Sequence, residues 1–367
     1  MTVTKHTTPA PKTFSPNGLA TLIGSIPLTD HGRAMEWITE YTPAIPLWPQ
    51  LPCIRAEGML QQFIEGFPGV IEEEERTFFN TANDEFSEEI LAFFEEYLAV
   101  SEDPDQLRSS RFAVSRERAS GLYLLKETVK NRPKTVAVKG QITGPFTLLT
   151  GLHDQDDRAG YYDPTIREMV VKGLSMKAAW QISFLGEQGL PVILFIDEPA
   201  LAGLGSSSFV TVSRDDIGQD QAEMIEAIHM AGGLAGIHVC ANTDWPLLLS
   251  LDYDIINFDA YGYFDRIITC RDELHNFLAR GSIIAWGIVP TSEAKHIEQE
   301  TPESLVVLWE KQAKMLSDSS RDISAILQQS LITPSCGTGS LSPEMAERVL
   351  MLTREVSERL RKKYLKL

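Results

Sequence analysis

The chain has 367 residues, 43% hydrophobic and 23% charged, a globular mix that can bury a core without disulfide staples. Its 51 acidic residues against 33 basic ones leave a net charge of −18, which disfavours a nucleic-acid partner and favours solubility. No stretch reaches the roughly 18 to 20 apolar residues that a bilayer span needs. The opening "MTVTKHTTPAPKTFSPNG" lacks a signal-peptide core, so 1–17 reads as a flexible leader and the expected location is cytoplasmic.

Eight apolar runs follow in order: "LATLIGSIP" (19–27), "PAIPLWPQ" (43–50), "TVAVKGQITGP" (135–145), "PVILFIDEP" (191–199), "LAGIHVCAN" (234–242), "DIINFDAYG" (254–262), "SIIAWGIVP" (282–290) and "ISAILQQSLITPSCG" (323–337). They are rich in Ile, Val and Leu on both faces, as buried parallel strands are. Most alternate with helical patterns, such as 221–231, 302–318 and 342–367. The last begins with Ser342 as N-cap, Pro343 at N1 and Glu344 in the first turn. The pattern predicts an α/β fold, a single (β/α)8 TIM barrel over 18–367. Residues 51–134 form an insertion after the second strand, helical in its second half with an acidic face, and read as a lid or partner surface.

In such a barrel the active site lies at the carboxyl ends of the strands. His238 and Cys240 are two apart on one strand end, so they point the same way. Each alone is an ordinary core residue. Cys336 in "TPSCGTG", where Gly337 and Gly339 let the backbone approach an ion or substrate, adds a third soft ligand at the same mouth. Cys53 and Cys270 are the other two cysteines; in a reducing compartment scattered cysteines read as free, metal-bound or catalytic rather than paired. Asp259, at the end of the sixth run, either completes a His, Cys, Asp, Cys set or serves as a capping carboxylate. That set favours tetrahedral Zn2+. In "FIDEPAL", Asp197 and Glu198 point to opposite faces, and Asp197 suits a ligand amine or a hydrogen-bond partner for His238. Trp48, Trp286 and Tyr261 are expected to line the mouth. Zinc with two cysteinates and one carboxylate suits activation of a thiol better than hydrolysis.

"LIGSIP", "TGPFTL", "IDEPAL", "HVC" and "SCG" occur in an order that resembles the cobalamin-independent methionine synthase superfamily. That superfamily also holds the methylcobamide:coenzyme M methyltransferases and uroporphyrinogen decarboxylase. The resemblance is to the catalytic barrel and covers about 18–367. It implies zinc on His238, Cys240 and Cys336, with Asp259 where methionine synthases use Glu. It implies Ser25 on the carboxylate of homocysteine and Asp197 on its amine. Gln50 stands nearest to a second amine-holding acid, and Gln141 joins the substrate-binding candidates with Tyr261 and Trp286. Gly151 stands where the family stacks a Trp on folate, and "HVCANT" is close to the corrinoid-dependent branch. The implied activity is methyl transfer to a thiol, homocysteine favoured, from a methyl-corrinoid or a methyltetrahydrofolate. A corrinoid protein is the implied partner, with 51–134 as its docking surface. The alternatives are a methyltransferase acting on coenzyme M or another small thiol, a protein that shuttles a corrinoid or metal, and a metal-free decarboxylase-like protein.

Overall fold

The computed structural model describes residues 14–204, 209 and 211–367. Ten strands appear in chain order: β1 (Leu19–Ala20), β2 (Val70–Glu72), β3 (Thr77–Phe79), β4 (Val138–Thr143), β5 (His153–Asp154), β6 (Val192–Asp197), β7 (Leu234–Val239), β8 (Ile255–Phe258), β9 (Ile283–Val289) and β10 (Ser330–Pro334). Seven form one parallel sheet in the order β1-β10-β9-β8-β7-β6-β4. The sheet curls as in a partial or distorted TIM barrel, with helices on its convex side.

The second apolar run lies between the two edge strands. Leu47 bridges Lys139 of β4, and Gln50 bridges Ser25 just beyond β1. The segment forms isolated bridges and no ladder. Pro43, Pro46 and Pro49 remove three of its backbone donors, and a proline-rich strand cannot pair continuously. Carbonyls still serve: Ala44 O accepts from Val136 N (2.9 Å) and Pro46 O from Lys139 N (3.0 Å).

Alternation along the strands sorts the residues. Ile45, Ala137, Ile193, Phe195, Ile255, Ile283, Ala285 and Leu331 form an apolar cluster inside the curl. Polar residues continue the inward rows above it: Lys139 and Gln141 on β4, Asp197 on β6, His238 on β7, Asn257 on β8 and Thr333 on β10, all buried. The outward rows pack against helices, including Pro164–Gly186, Arg214–Met230 and Pro302–Leu316. The last helix, Pro343–Tyr364, is capped as its sequence predicts: Ser342 accepts from Met345 N, and Arg361, Lys362 and Lys363 lie in the last turn, where cations suit the helix dipole.

Several expectations are corrected. The run at 323–337 opens as a helix, Ile323–Gln328, and only β10 is strand. The insertion is not purely helical: β2 and β3 form a hairpin that joins β5 in a small separate sheet. Its long helix is Phe86–Glu102, whereas Ser120–Val129 packs on the helix His31–Tyr41 as part of the outer layer. Phe63, Phe67, Phe79, Phe93 and Phe112 of the insertion are buried in the main core, so this region is firmly packed. Of the expected leader, 1–13 lie outside the described residues, while Asn17 N donates to Gln328 O (3.2 Å). Among the described residues, no helix is long and apolar enough to cross a membrane.

Trp286 is a further correction. Ala285 and Gly287 take the inward positions of β9, so Trp286 points outward, between Phe258, Phe264 and Trp309, and its Nε1 donates to Ser330 Oγ (2.9 Å). It is a wedge between sheet and helices and does not line a mouth. Trp48 is likewise fully buried, edge-on to Phe63. Trp286→Ala should therefore lower unfolding stability by about 3–5 kcal/mol while sparing metal uptake. Urea denaturation and metal titration of the variant check both halves.

Candidate metal centre

β7 brings His238 and Cys240 to the inner face of one strand end. Cys336 arrives from the turn after β10. The ligand atoms of these three residues all lie within 4.8 Å of one another. His238 is only 3% exposed, and both cysteines are half-buried.

The orientation of His238 follows from its neighbour. His238 pairs in register with Asn257 of β8, and its Nδ1 is hydrogen-bonded to Asn257 Oδ1. Asn257 Nδ2 donates to Ala285 O (2.9 Å) and Thr333 Oγ1 (2.8 Å), so its oxygen is the atom left for the ring. A ring proton therefore sits on Nδ1, which leaves Nε2 as the nitrogen that a metal would bind. Nε2 is buried without a hydrogen-bond partner among the described residues. A buried imidazole nitrogen without a partner, facing two sulfurs, fits a soft or borderline metal ion such as zinc. Without an ion, Cys336 and then His238 draw Cys240 down toward the thiolate, and Cys240 pushes Cys336 up.

Asn257 was not singled out in the sequence. Of the two roles considered for Asp197, a ligand amine or a partner for His238, the second is taken by Asn257, which holds Nδ1. Asp197 sits beside His238 in register, 7% exposed, with Oδ1 unpartnered. Burial pushes its carboxyl up to about 6, against the pull of Lys139 and His238. Glu198 points the other way, as alternation requires. It accepts from Phe146 N (3.0 Å), Thr147 N (2.8 Å) and Gln221 Nε2 (2.6 Å), so it caps the short helix Pro145–Gly151.

Asp259 lies outside the ligand cluster. Its Oδ1 accepts from Gly262 N (2.7 Å), which makes it the N-cap of Ala260–Ile267. Burial raises its carboxyl to about 6, the Gly262 amide opposes this, and the nearby Cys240 adds to it. Tyr261 turns to the rim, where its hydroxyl donates to Glu300 Oε1 (2.9 Å). Burial and then Glu300 raise it to about 12.

Ser25 stands against the Cys336 turn. Its carbonyl accepts from Thr338 N (3.0 Å) and Thr338 Oγ1 (2.9 Å), and its Oγ from Gly339 N (3.2 Å). A Cβ on Gly337 would lie 2.1 Å from Ser25 Oγ. The two glycines thus let the turn close on Ser25, and that close approach accounts for them. Gln50 Nε2 donates to Gln62 Oε1 (2.5 Å), tying the site's edge to the insertion. Gln141 Nε2 donates to Trp48 O (2.8 Å), and its Oε1 is buried and unpartnered. Gly151 is covered by Leu60 of the insertion, whose methyls would lie 2.9 Å from an added Cβ.

No protein-family model matches the chain, and no curated protein matches it in sequence. Among solved structures, it is similar to a B12-independent methionine synthase from Shewanella sp. W3-18-1 in complex with selenomethionine. That likeness has 17% identity and a TM-score of 0.48, over 66% of this chain and 68% of that one. The chain is also similar to the tandem GH20 catalytic modules of the pneumococcal exo-β-D-N-acetylglucosaminidase StrH, at 9% identity and a TM-score of 0.44, over 93% and 85% of the two chains. Two proteins of unlike activity at these scores leave the chemistry to be argued from the side chains.

If Asn257 sets the tautomer, Asn257→Leu should weaken metal binding about 10–100-fold. Competition against a chromophoric chelator reads this directly, and wild-type affinity would remove Asn257 from the site.

Proposed function

We propose that this chain is a zinc-dependent methyltransferase acting on a small thiol. The observation that carries this reading is the unpartnered His238 Nε2 facing Cys240 and Cys336. These three side chains would hold the ion, with Asp259 as a further ligand if it gives up its helix cap. When bound, zinc supplies the acidity that makes a substrate thiol a nucleophile at neutral pH. The two cysteinates keep the site electron-rich, which favours alkyl transfer to sulfur over hydrolysis. We read the curled sheet as a (β/α)8 barrel distorted along 44–50, with this site at the carboxyl ends of its strands.

Homocysteine is the favoured thiol. Asp197 Oδ1 and Gln141 Oε1 are buried acceptors without partners, and an ammonium group would satisfy them. Ser25, beside the Cys336 turn, retains its hydroxyl proton for a substrate carboxylate. A small thiol without an amine, such as coenzyme M, is the second reading. It is favoured by Lys139, whose charge already offsets that of Asp197. For the donor, Leu60 over Gly151 fills the space that a ring-stacking aromatic would need, which supports a methyl-corrinoid over a methyltetrahydrofolate. A methyl on cobalt leaves without a general acid, and none is required of this chain. A corrinoid protein would dock on the acidic insertion, where Leu91 and Leu98 are exposed on Phe86–Glu102.

Protein purified without added metal should contain stoichiometric zinc and convert homocysteine to methionine with methylcobalamin. Cys240→Ala and Cys336→Ala should each lose both properties, and full activity in either would overturn the mechanism. Absence of zinc, with none taken up on addition, would favour the metal-free decarboxylase-like class. Asp197→Asn should weaken homocysteine more than a thiol lacking the amine. Equal loss for both would remove Asp197 from amine recognition.

A further inference from the structure

Lys139 is a cation that the proposed chemistry does not use. It sits at the second position of β4, points inside the curl and is fully buried. Burying an ammonium group is costly unless it is paired and hydrogen-bonded. Here Nζ donates to Ile23 O (2.6 Å), lies 4.4 Å from the centre of the Phe195 ring and feels the charge of Asp197. Ile23 lies just past β1, on the stretch that also carries Gly24 and Ser25. This is the weakest seam of the sheet: β1 is two residues long, and the segment beside it forms only bridges. Ser25, in turn, is the post on which the turn after Cys336 closes, through Thr338 and Gly339.

We propose that Lys139 is a positioning residue for Cys336. By holding the Ile23 carbonyl from across the seam, it fixes Gly24 and Ser25, and through the clamp on Ser25 it sets where the Cys336 sulfur stands relative to His238 and Cys240. A side-chain hydrogen bond does here what a ladder does elsewhere in the sheet. The inference rests on the reading of His238, Cys240 and Cys336 as a metal site. It concerns the geometry of that site and is independent of which thiol or donor is used.

The experiment is a Co2+ titration of metal-free protein, following the thiolate-to-cobalt charge-transfer absorption and the ligand-field bands, with affinity from chelator competition. Three variants are compared: Lys139→Met, the double variant Lys139→Met with Asp197→Asn, and Ser25→Ala combined with Thr338→Val, which removes both side-chain bonds of the clamp. The double variant removes both buried charges, so that an uncompensated carboxylate does not threaten the fold. All three are expected to bind Co2+ about tenfold or more weakly and to show shifted charge-transfer bands. Wild-type affinity and bands in the double variant would overturn the proposal, because Lys139 would then be only a counter-ion for Asp197. An unaltered spectrum in the Ser25→Ala, Thr338→Val variant would overturn it as well, since the route through Ser25 would be wrong. If neither Lys139 variant folds, the Ser25→Ala, Thr338→Val variant decides. Failure of the wild-type protein to take up Co2+ would instead remove the metal reading itself, and the proposal with it.

Discussion

The candidate site depends on the hydrogen bond between His238 Nδ1 and Asn257 Oδ1. An imidazole can offer a metal only the nitrogen that does not carry its proton. Asn257 makes that choice because its own amide is not free to flip: its Nδ2 is committed to Ala285 O and Thr333 Oγ1. A flipped amide would set two acceptors against each other at the Ala285 carbonyl, which cannot donate. In a fully buried network such a mismatch is expensive, so the orientation is strongly determined. Without it, Cys240 and Cys336 would face an N–H group or a ring turned aside.

The sheet supplies the rest of the arrangement. Parallel register sets Asp197, His238 and Asn257 side by side on consecutive strands. Period-two alternation turns all three inward, above a floor of Ile193, Phe195, Ile255 and Ala285. The apolar floor keeps water out from below and makes unpaired polar atoms above it costly. Such atoms remain nevertheless: His238 Nε2, Asp197 Oδ1 and Gln141 Oε1. Other buried polar atoms also lack partners, but these three share the inward rows with the sulfurs of Cys240 and Cys336, which marks where a ligand would complete the hydrogen bonding.

What was legible in the sequence follows from the same physics. His238 and Cys240 could be paired by counting, because strand period is two whatever the fold. Cys336 could be placed near them because a late turn in a barrel-like chain returns to the strand ends. Asn257 could not be found this way. In "DIINFD" it reads as a polar interruption, and only the register of β8 against β7 puts it opposite His238. Lys139, inside "TVAVKGQ", was passed over for a similar reason: its partners Ile23 and Asp197 are remote in sequence. Trp286 was misplaced because β9 is apolar on both faces, so alternation alone does not say which face is inside. The poor pairing of 44–50 was, by contrast, written in Pro43, Pro46 and Pro49.

Asp259 and the cysteines illustrate how one fold position can carry competing duties. The Asp259 carboxylate satisfies the orphan Gly262 amide at the start of a helix, a bond typically worth about 1 kcal/mol. Ligating a metal would require that bond to be shared or released. His238, Cys240 and Cys336 require no such exchange, because their ligand atoms already face one another and Nε2 has no other use. An ion held by these three alone would keep a fourth tetrahedral position for an incoming group, which is how catalytic zinc sites differ from structural ones. The helix cap on Asp259 is therefore compatible with the proposed chemistry: a carboxylate held on a helix would leave one coordination position open to an incoming group.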